Sequence, residues 1–558
     1  MKLFVCLITL TLFATAFADD PETERLKPAL DAITPDGLLA HIKMLASDEF
    51  EGRAPGSKGE ELSIKYISDQ FKQIGLSPGN PDGTYFQEVP LAGIKTTPSA
   101  SFAVGGKTTT LSYPDDYVAS SARLQNEIKV ENSDIVFVGY GIVAREYGWN
   151  DYKDVDVRGK TLLMLINDPP IPDPNDSAKL DEKMFGGSAM TYYGRWTYKY
   201  EIAAQKGAAA AIIIHETGPA AYPYSVVRTS WSKENFELDA PDKNAGAVSV
   251  RSWITVDVAK KLLADSGHDF DSLKKSALSK DFRPVSLGVK ASFDIKQQVR
   301  SVESHNVIGK LEGGDRKLTK EYVIFSAHWD HLGKHPELQG DQIFNGAVDN
   351  ASGVAAVISL GRAFTKVNPP PKRTLLFLAT TAEEAGLLGA KYYAMHPLYP
   401  LEKTLADINI DSMNVWGKAR DIEDTSFGMS TLDDALARVA QVAEGRTAIP
   451  NPRPEKGNIY RADNFEFAKA GVPSLYIGDK EHLLARAPDA PLRADEFDLH
   501  DYHQVSDEVK PDWDLSGAVQ DTQLLFVVGD EVANGAKFPE WKPGNEFKPK
   551  RDAMMKKP

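Results

Sequence analysis

Hydrophobic positions along this chain change their spacing from one stretch to the next. Near the N-terminus Leu38, Leu39, Ile42 and Leu45, and then Ile64, Ile67, Phe71 and Ile74, recur at helical spacing and predict two amphipathic helices. The second opens on Ser57 with Glu60 three residues on, the spacing of a capping box, and stops at Gly75. The polar run Ser47 to Arg53 between them reads as a turn. From about residue 130, short apolar runs at 135–138, 161–165 and 210–214 are separated by Gly, Pro and Asp and predict strands, with helices at 202–206 and 256–264. From about 303, strands at 306–308, 322–326, 374–378 and 406–410 alternate with helices at 352–364 and 387–393. A helix at 432–443, a strand at 473–477 and a closing helix at 513–532 follow. Such alternation predicts an α/β sheet with helices on its faces.

At 558 residues the chain exceeds what one core organises, so more than one domain is expected. A formal net charge of −15 argues against nucleic acid as a partner, since phosphate binding needs a basic surface. Lys2, the apolar run Leu3 to Phe13 and Ala16-Phe17-Ala18 form a secretory signal pattern, so residues 1–18 are expected to be removed and the protein to be exported, periplasmic or secreted. The apolar run is shorter than the roughly 20 residues that span a bilayer, so no stable membrane insertion is expected. The single cysteine, Cys6, lies inside this segment, which leaves a mature chain without disulfides or thiolate metal sites; any metal is held by His and carboxylates. Of 11 histidines only His41, His215 and His268 precede residue 305, so the middle of the chain reads as a separate module poor in ligands. The basic tail from 546 reads as a solvated, disordered end. The oligomeric state is left open.

In open α/β sheets, ligands bind beyond the carboxyl ends of the strands. His328 and Asp330 follow the run from Tyr322, Glu383 and Glu384 follow the run from Leu375, and Asp411 follows Ile408 to Ile410. Asp349 stands at the start of the helix from Ser352. Singly each has an ordinary explanation: Asp349 as a helix cap, Glu383 and Glu384 as first-turn acids, His328 as a satisfied histidine. Together, two histidines and three carboxylates make the nitrogen and oxygen set that suits zinc.

The segments Ser326-Ala-His-Trp-Asp-His-Leu-Gly333, Gly346-Ala-Val-Asp-Asn-Ala-Ser-Gly353 and Thr381-Ala-Glu-Glu-Ala-Gly-Leu-Leu-Gly389 resemble metallopeptidase family 28, the dizinc aminopeptidases and their carboxypeptidase relatives. Asn409-Ile-Asp411 and Tyr502-His-Gln-Val-Ser-Asp507 complete the likeness. The resemblance implies a mixed-sheet zinc-exopeptidase fold with helices on both faces, plus an inserted β-rich protease-associated domain at 130–290 between catalytic parts at 19–129 and 291–545. It implies two zinc ions: His328 and Asp411 on one, Glu384 and His503 on the other, Asp349 bridging. Glu383 becomes the general base and Asp330 the carboxylate beside His328. Tyr460 is the candidate oxyanion donor from its place in the family pattern, with a packed tyrosine as the alternative. Ala462-Asp463-Asn464 departs from the Ser-Asp-His that relatives often carry.

The expected activity is therefore hydrolysis of a peptide substrate, with release of N-terminal residues. A related deacylase and carboxypeptidase group carries its extra domain between the fourth and fifth ligands, whereas here the extra domain precedes His328. Glutaminyl cyclases resemble single-zinc enzymes that lack the first His. A carboxypeptidase-type or dipeptide-cleaving relative, or a non-catalytic peptide-binding protein using the cluster Tyr192, Tyr193, Trp196, Tyr198 and Tyr200, are the alternatives. Arg461 is a candidate for binding a carboxylate.

Overall fold

A computed structural model describes residues 21–478, 483–484 and 493–556. The expected signal segment, residues 1–18, lies outside the described residues. Among the described residues no helix is long and apolar enough to cross a membrane.

The strands Tyr322–His328, Thr374–Thr380 and Thr404–Asn409 are buried at every position. That is why they read as continuous apolar runs rather than as alternations. They lie parallel, with Tyr322–His328 in the middle: His328 stands opposite Thr380, and Ser326 opposite Asn409. Ser474–Tyr476 adds in parallel beyond Thr404–Asn409. One face is covered by Pro35–Leu45, Lys58–Gln73, Gly353–Phe364 and Ser516–Asn534, with Phe325, Phe364, Phe377 and Phe526 at its centre. Leu388–Met395 and Asn464–Ala470 cover the other face, around Ile324, Leu376, Tyr393 and Phe467. The expected α/β sheet with helices on both faces is present.

The helices begin where local chemistry supplies a cap. Thr34 accepts a hydrogen bond from Gly37 N, and Ser57 accepts from Gly59 N and Glu60 N. Glu60 does not reach back to Ser57 as a capping box requires; its carboxylate accepts from Gly56 N instead (2.5 Å).

The largest departure from expectation is a pair of long antiparallel strands, Phe86–Val104 and Val285–Leu311, paired in register from Phe86↔Val307 to Val104↔Val289. Sequence reading marked only 306–308. Pro90, Pro98 and Gly93 interrupt the first strand, and both alternate buried with exposed positions over much of their length, so neither presents an apolar run. The far end of Val285–Leu311 pairs with Glu127–Phe137, which continues in parallel through Thr161–Leu165, Ala210–His215 and Val250–Thr255. These strands enclose a second core around Phe137, Leu163, Ile213, Trp253 and Phe293. It draws in Ala100, Phe102 and Tyr117, so it begins before residue 130, the boundary read from sequence.

The tail from 546 is a correction. Lys548–Met555 is a helix, and Arg551 is buried with its guanidinium donating to Leu401 O (3.0 Å) and Thr404 O (2.9 Å). Docking of one buried arginine onto these two carbonyls orders a segment whose composition alone reads as solvated.

Candidate metal centre

His328 ends its strand, Asp411 follows the neighbouring strand, and Glu383 and Glu384 sit in the loop after Thr374–Thr380. The parallel register therefore delivers three ligand-type groups to one edge of the sheet. The turn 346–349 delivers the fourth. Gly346 has φ 57°, and a Cβ there would lie 2.3 Å from Asp349 O and 2.6 Å from the His331 ring, so only glycine fits.

His328 Nδ1 lies 3.1 Å from Asp330 O, which fixes the proton on Nδ1 and points Nε2 at the carboxylates. Nε2 stands 3.2 Å from Asp349 Oδ1, 3.3 Å from Asp411 Oδ1 and 4.0 Å from Glu383 Oε2. On the other side of Asp349, His503 Nε2 stands 3.2 Å from Asp349 Oδ2 and 3.1 Å from Glu384 Oε2. Asp349 thus presents one oxygen to each half of the cluster. All five residues proposed as ligands from sequence converge.

Electrostatics divide the carboxylates. Burial opposes ionisation of Asp349 and Glu384, yet the histidines facing them hold both below the usual carboxylate range. Burial pushes Glu383 well above it, and Asp411, Glu384 and Asp463 add to the rise against the pull of His328. Burial also raises Asp411, with Asp349 and Glu384 adding to the rise. His503 is pushed up to about 10: burial lowers it, but Glu384 and Asp349 outweigh burial.

Residues around the cluster fix its backbone. Asp330 accepts from Glu383 N (3.0 Å) and Glu384 N (3.3 Å), while its carboxylate stays 3.7 Å from His328 Nδ1. The expected carboxylate beside His328 is in place, but it clamps the two glutamates and its carbonyl oxygen, not its carboxylate, takes the imidazole. Asp507 accepts from Val348 N (2.9 Å) and Asp349 N (3.1 Å). Asn350 joins Ile410 O, Ser412 N and Gly353 N, tying the Asp349 turn to the Asp411 loop. Behind the turn, the buried Arg53 guanidinium donates to Leu45 O (2.7 Å), Trp329 O (2.8 Å), Asn345 O (2.5 Å) and Gly346 O (2.9 Å). Burial lowers Arg53 to about 10, against the pull of Asp507, Asp349, Asp330 and Glu384.

Four residues of the site were not assigned roles from sequence. His331 is buried, with Nδ1 2.7 Å from Glu384 Oε1 and 4.0 Å from Asp349 Oδ2. Its signal was its place directly after Asp330 in the quoted motif. The signal for Asp507 was its place at the end of the quoted Tyr502 to Asp507 segment, while Arg53 carried none beyond a base in a polar turn. Tyr502 is 47% exposed and stacks on the His503 ring (3.9 Å between centroids).

Tyr460 is a correction. Its hydroxyl donates to Glu546 Oε1 (2.8 Å), and its ring packs with Leu387, Phe465, Trp541 and Phe547, so it is a packed tyrosine committed away from the cluster. The altered Ala462-Asp463-Asn464 places Asp463 under Thr380, whose hydroxyl donates to it, and burial raises Asp463 to about 7.

The donor set fits zinc. His328, Asp349 and Asp411 present ligand atoms within 4.8 Å of one another, as do His331, Asp349 and Glu384. Buried His331 Nε2 has no hydrogen-bond partner, and an imidazole nitrogen in such a place calls for a cation.

This is a carboxylate–histidine centre at the carboxyl edge of an α/β sheet. Residues 306–527 match the sequence model of Peptidase family M28. Among curated proteins, a vacuolar membrane protease of Lodderomyces elongisporus is 29% identical over 128 residues, 23% of this chain and 12% of that protein. A probable zinc metalloprotease of Pyrenophora teres f. teres is 34% identical over 124 residues, 22% of this chain and 25% of that protein. The matched segments thus span at most about a quarter of those relatives' lengths. Solved structures with similarity include an aminopeptidase from Aneurinibacillus sp., 18% identical, covering 91% of this chain and 95% of that one at a TM-score of 0.48. A peptidase M28 precursor from Shewanella amazonensis is 18% identical, covering 94% and 98% at a TM-score of 0.43.

The expected periplasmic or secreted location is overturned by these relatives. Those from Lodderomyces elongisporus, Clavispora lusitaniae and Candida dubliniensis are named vacuolar membrane proteases.

Proposed function

We propose that the chain is a zinc-dependent exopeptidase of aminopeptidase type that takes peptides as substrate. The observation that carries this is Asp349, whose two oxygens face separate histidine–carboxylate sets. Two zinc ions fit that division, one held by His328 and Asp411, the other by Glu384 and His503, with Asp349 common to both. When bound, zinc supplies Lewis acidity to the scissile carbonyl and makes a water more acidic. His331 steadies Glu384 from behind, and Asp330 holds the Glu383–Glu384 backbone.

Glu383 is the group free to move a proton. Its Oε2 takes a proton from the attacking water and delivers it to the leaving amine nitrogen as the C–N bond breaks. A raised carboxyl affinity for protons suits that shuttle. Tyr502, stacked on the His503 ring, is the candidate for the oxyanion-donor role first assigned to Tyr460. The second core is assigned as the inserted, β-rich protease-associated unit that walls one side of the substrate entrance.

The test is metal content with hydrolysis of a panel of aminoacyl anilides and of peptides with free or blocked termini, with and without chelator. Two zinc ions per chain and chelator-sensitive cleavage that requires a free amino terminus are expected. A requirement for a free carboxylate in place of the amine would refute the aminopeptidase reading, and absence of bound zinc would refute the enzyme.

A further inference from the structure

Glu383 and Glu384 ride on a loop that leaves the strand Thr374–Thr380 at Thr381 and enters the helix Leu388–Met395. Asp330 holds the backbone N–H groups of the two glutamates, and a second hold acts at the mouth of the loop. Thr381 N donates to Asn306 Oδ1 (3.0 Å), Asn306 Nδ2 donates to Gly389 O (3.0 Å), and Gly389 N donates to Thr381 O (2.9 Å). One carboxamide thus joins both ends of the loop, its acceptor on one end and its donor on the other. The fit is close: a Cβ at Gly389 would lie 2.3 Å from Thr381 O and 2.5 Å from Asn306 Oδ1. Asn306 is fully buried, and Nδ2 also donates to Gln87 Oε1 (3.1 Å).

The Thr381 side chain is tied as well. Ser304, two residues before Asn306 and also fully buried, donates its hydroxyl proton to Glu60 Oε1 (3.0 Å). The 2.6 Å contact between Ser304 Oγ and Thr381 Oγ1 therefore has Thr381 as its donor. Glu60 is fixed in turn by Gly56 N, which donates to Oε2 (2.5 Å).

Between the two holds lies Ala382, buried, with φ 52°. That left-handed conformation is unfavourable for a residue with a Cβ and persists only where the surroundings impose it. Here Asn306 fixes Thr381 N on one side, and Asp330 fixes Glu383 N on the other. The backbone turns within the single residue between them, and the turn leaves Glu383 Oε2 4.0 Å from His328 Nε2.

We propose that Asn306, assisted by Ser304, is a positioning clamp for Glu383. By closing the mouth of the loop it holds Ala382 in its strained turn and keeps the proton carrier at the cluster. Both residues act through the loop and not on the reacting atoms. The catalytic consequence rests on the peptidase reading; the clamp itself does not. Both residues lie on Val285–Leu311, so the place of Glu383 is set by a strand that the second core also holds.

The experiment uses the full chain at saturating zinc with an aminoacyl anilide as substrate. Asn306→Ser is expected to lose roughly 10- to 100-fold in kcat, the effect of a displacement of about 1 Å at a reacting group, with KM and bound zinc unchanged. Glycine adopts positive φ without strain, so in the Ala382→Gly background the same substitution should lose only roughly 2- to 5-fold. Equal losses in the two backgrounds, or a loss confined to KM or to melting temperature, overturn the clamp. Should Asn306→Ser not fold, Ser304→Ala removes the Thr381 tether alone. A loss of roughly 2- to 10-fold in kcat then supports the clamp, and no loss overturns it. Deuterium uptake across residues 381–389 reads the clamp without turnover, rising in Asn306→Ser while the rest of the chain keeps the parent's protection. A chain that cleaves nothing refutes the peptidase reading, whereas the uptake still decides the clamp, and unchanged uptake overturns it.

Discussion

Glu383 and Glu384 are neighbours in sequence with opposite electrostatic fates, and their surroundings explain why. Glu384 faces His503 and His331, whose charges hold it ionised; Glu383 has His328 at 4.0 Å and carboxylates on its other sides. The first suits a ligand and the second a proton carrier. Glu383→Gln is therefore expected to lose roughly 10²- to 10⁴-fold in kcat with zinc content unchanged; parallel loss of bound zinc would reassign Glu383 as a ligand. Asp507 touches no reacting atom but holds Asp349 N and Val348 N. Asp507→Ala should weaken zinc binding by roughly 10- to 100-fold in competition with a chromophoric chelator, as loss of an outer support does. Arg53 is a different case, because its partners are carbonyls of four separate residues. Arg53→Met leaves those acceptors buried and unpaired and should destabilise the fold by about 3–5 kcal/mol. Arg53→Lys should recover part of the loss in a denaturant titration, and equal loss in the two variants would mean that the fork itself is not what matters.

At the scale of elements, the helix Thr431–Val439 shows how a cap becomes pH-dependent. Asp433 closes the capping box with Ser430, and Ser426 links it to Asp424. Burial raises Asp424 to about 7, and Asp433 adds to the rise; burial raises Asp433 to about 6. Both folded values exceed the ordinary aspartate value of 3.8, so the folded state holds more protons across roughly pH 4 to 7. The stability contributed by the protonated pair is complete below that window and is lost as pH rises through it. Asp424→Asn removes this loss, so its melting temperature relative to the parent should climb between pH 5 and pH 8. A difference independent of pH would show that the pair does not titrate in the window. Legibility in the sequence followed the same local logic. The buried parallel strands and the helices Pro35–Leu45, Lys58–Gln73 and Ser516–Asn534 announced themselves because packing and periodicity coincide in them. His328, Glu384 and Asp411 were legible because strand ends place them, Asp349 because it opens a helix, and His503 through the family resemblance. The strand Phe86–Val104, the docked helix Lys548–Met555 and the Arg53 anchor were not, because partners far away in sequence make them. Tyr460 failed for a related reason: its position matched a pattern, but Glu546 claims its hydroxyl.

Across the whole molecule, one strand belongs to both cores. In Val285–Leu311, Val289, Ala291, Phe293 and Ile295 pack in the second core, while Val307 packs in the first. The same strand pairs with Glu127–Phe137 at one end and Thr374–Thr380 at the other, and with Phe86–Val104 over the length between. Melting either core releases half of a ladder that the other core needs, so the cores are expected to unfold together. The centre lies wholly in one of them, which provides a way to test the coupling. Zinc that binds only the folded state stabilises it by about 2.7 kcal/mol at a free concentration a hundredfold above its dissociation constant. With linked cores, that stabilisation is delivered to the entire chain. A calorimetric scan should then show one transition with and without chelator, displaced as a whole to lower temperature when zinc is removed, with calorimetric and van't Hoff enthalpies in agreement. Two resolved transitions, of which only one responds to chelator, would mean that the long strands act as a flexible connection between independently melting parts.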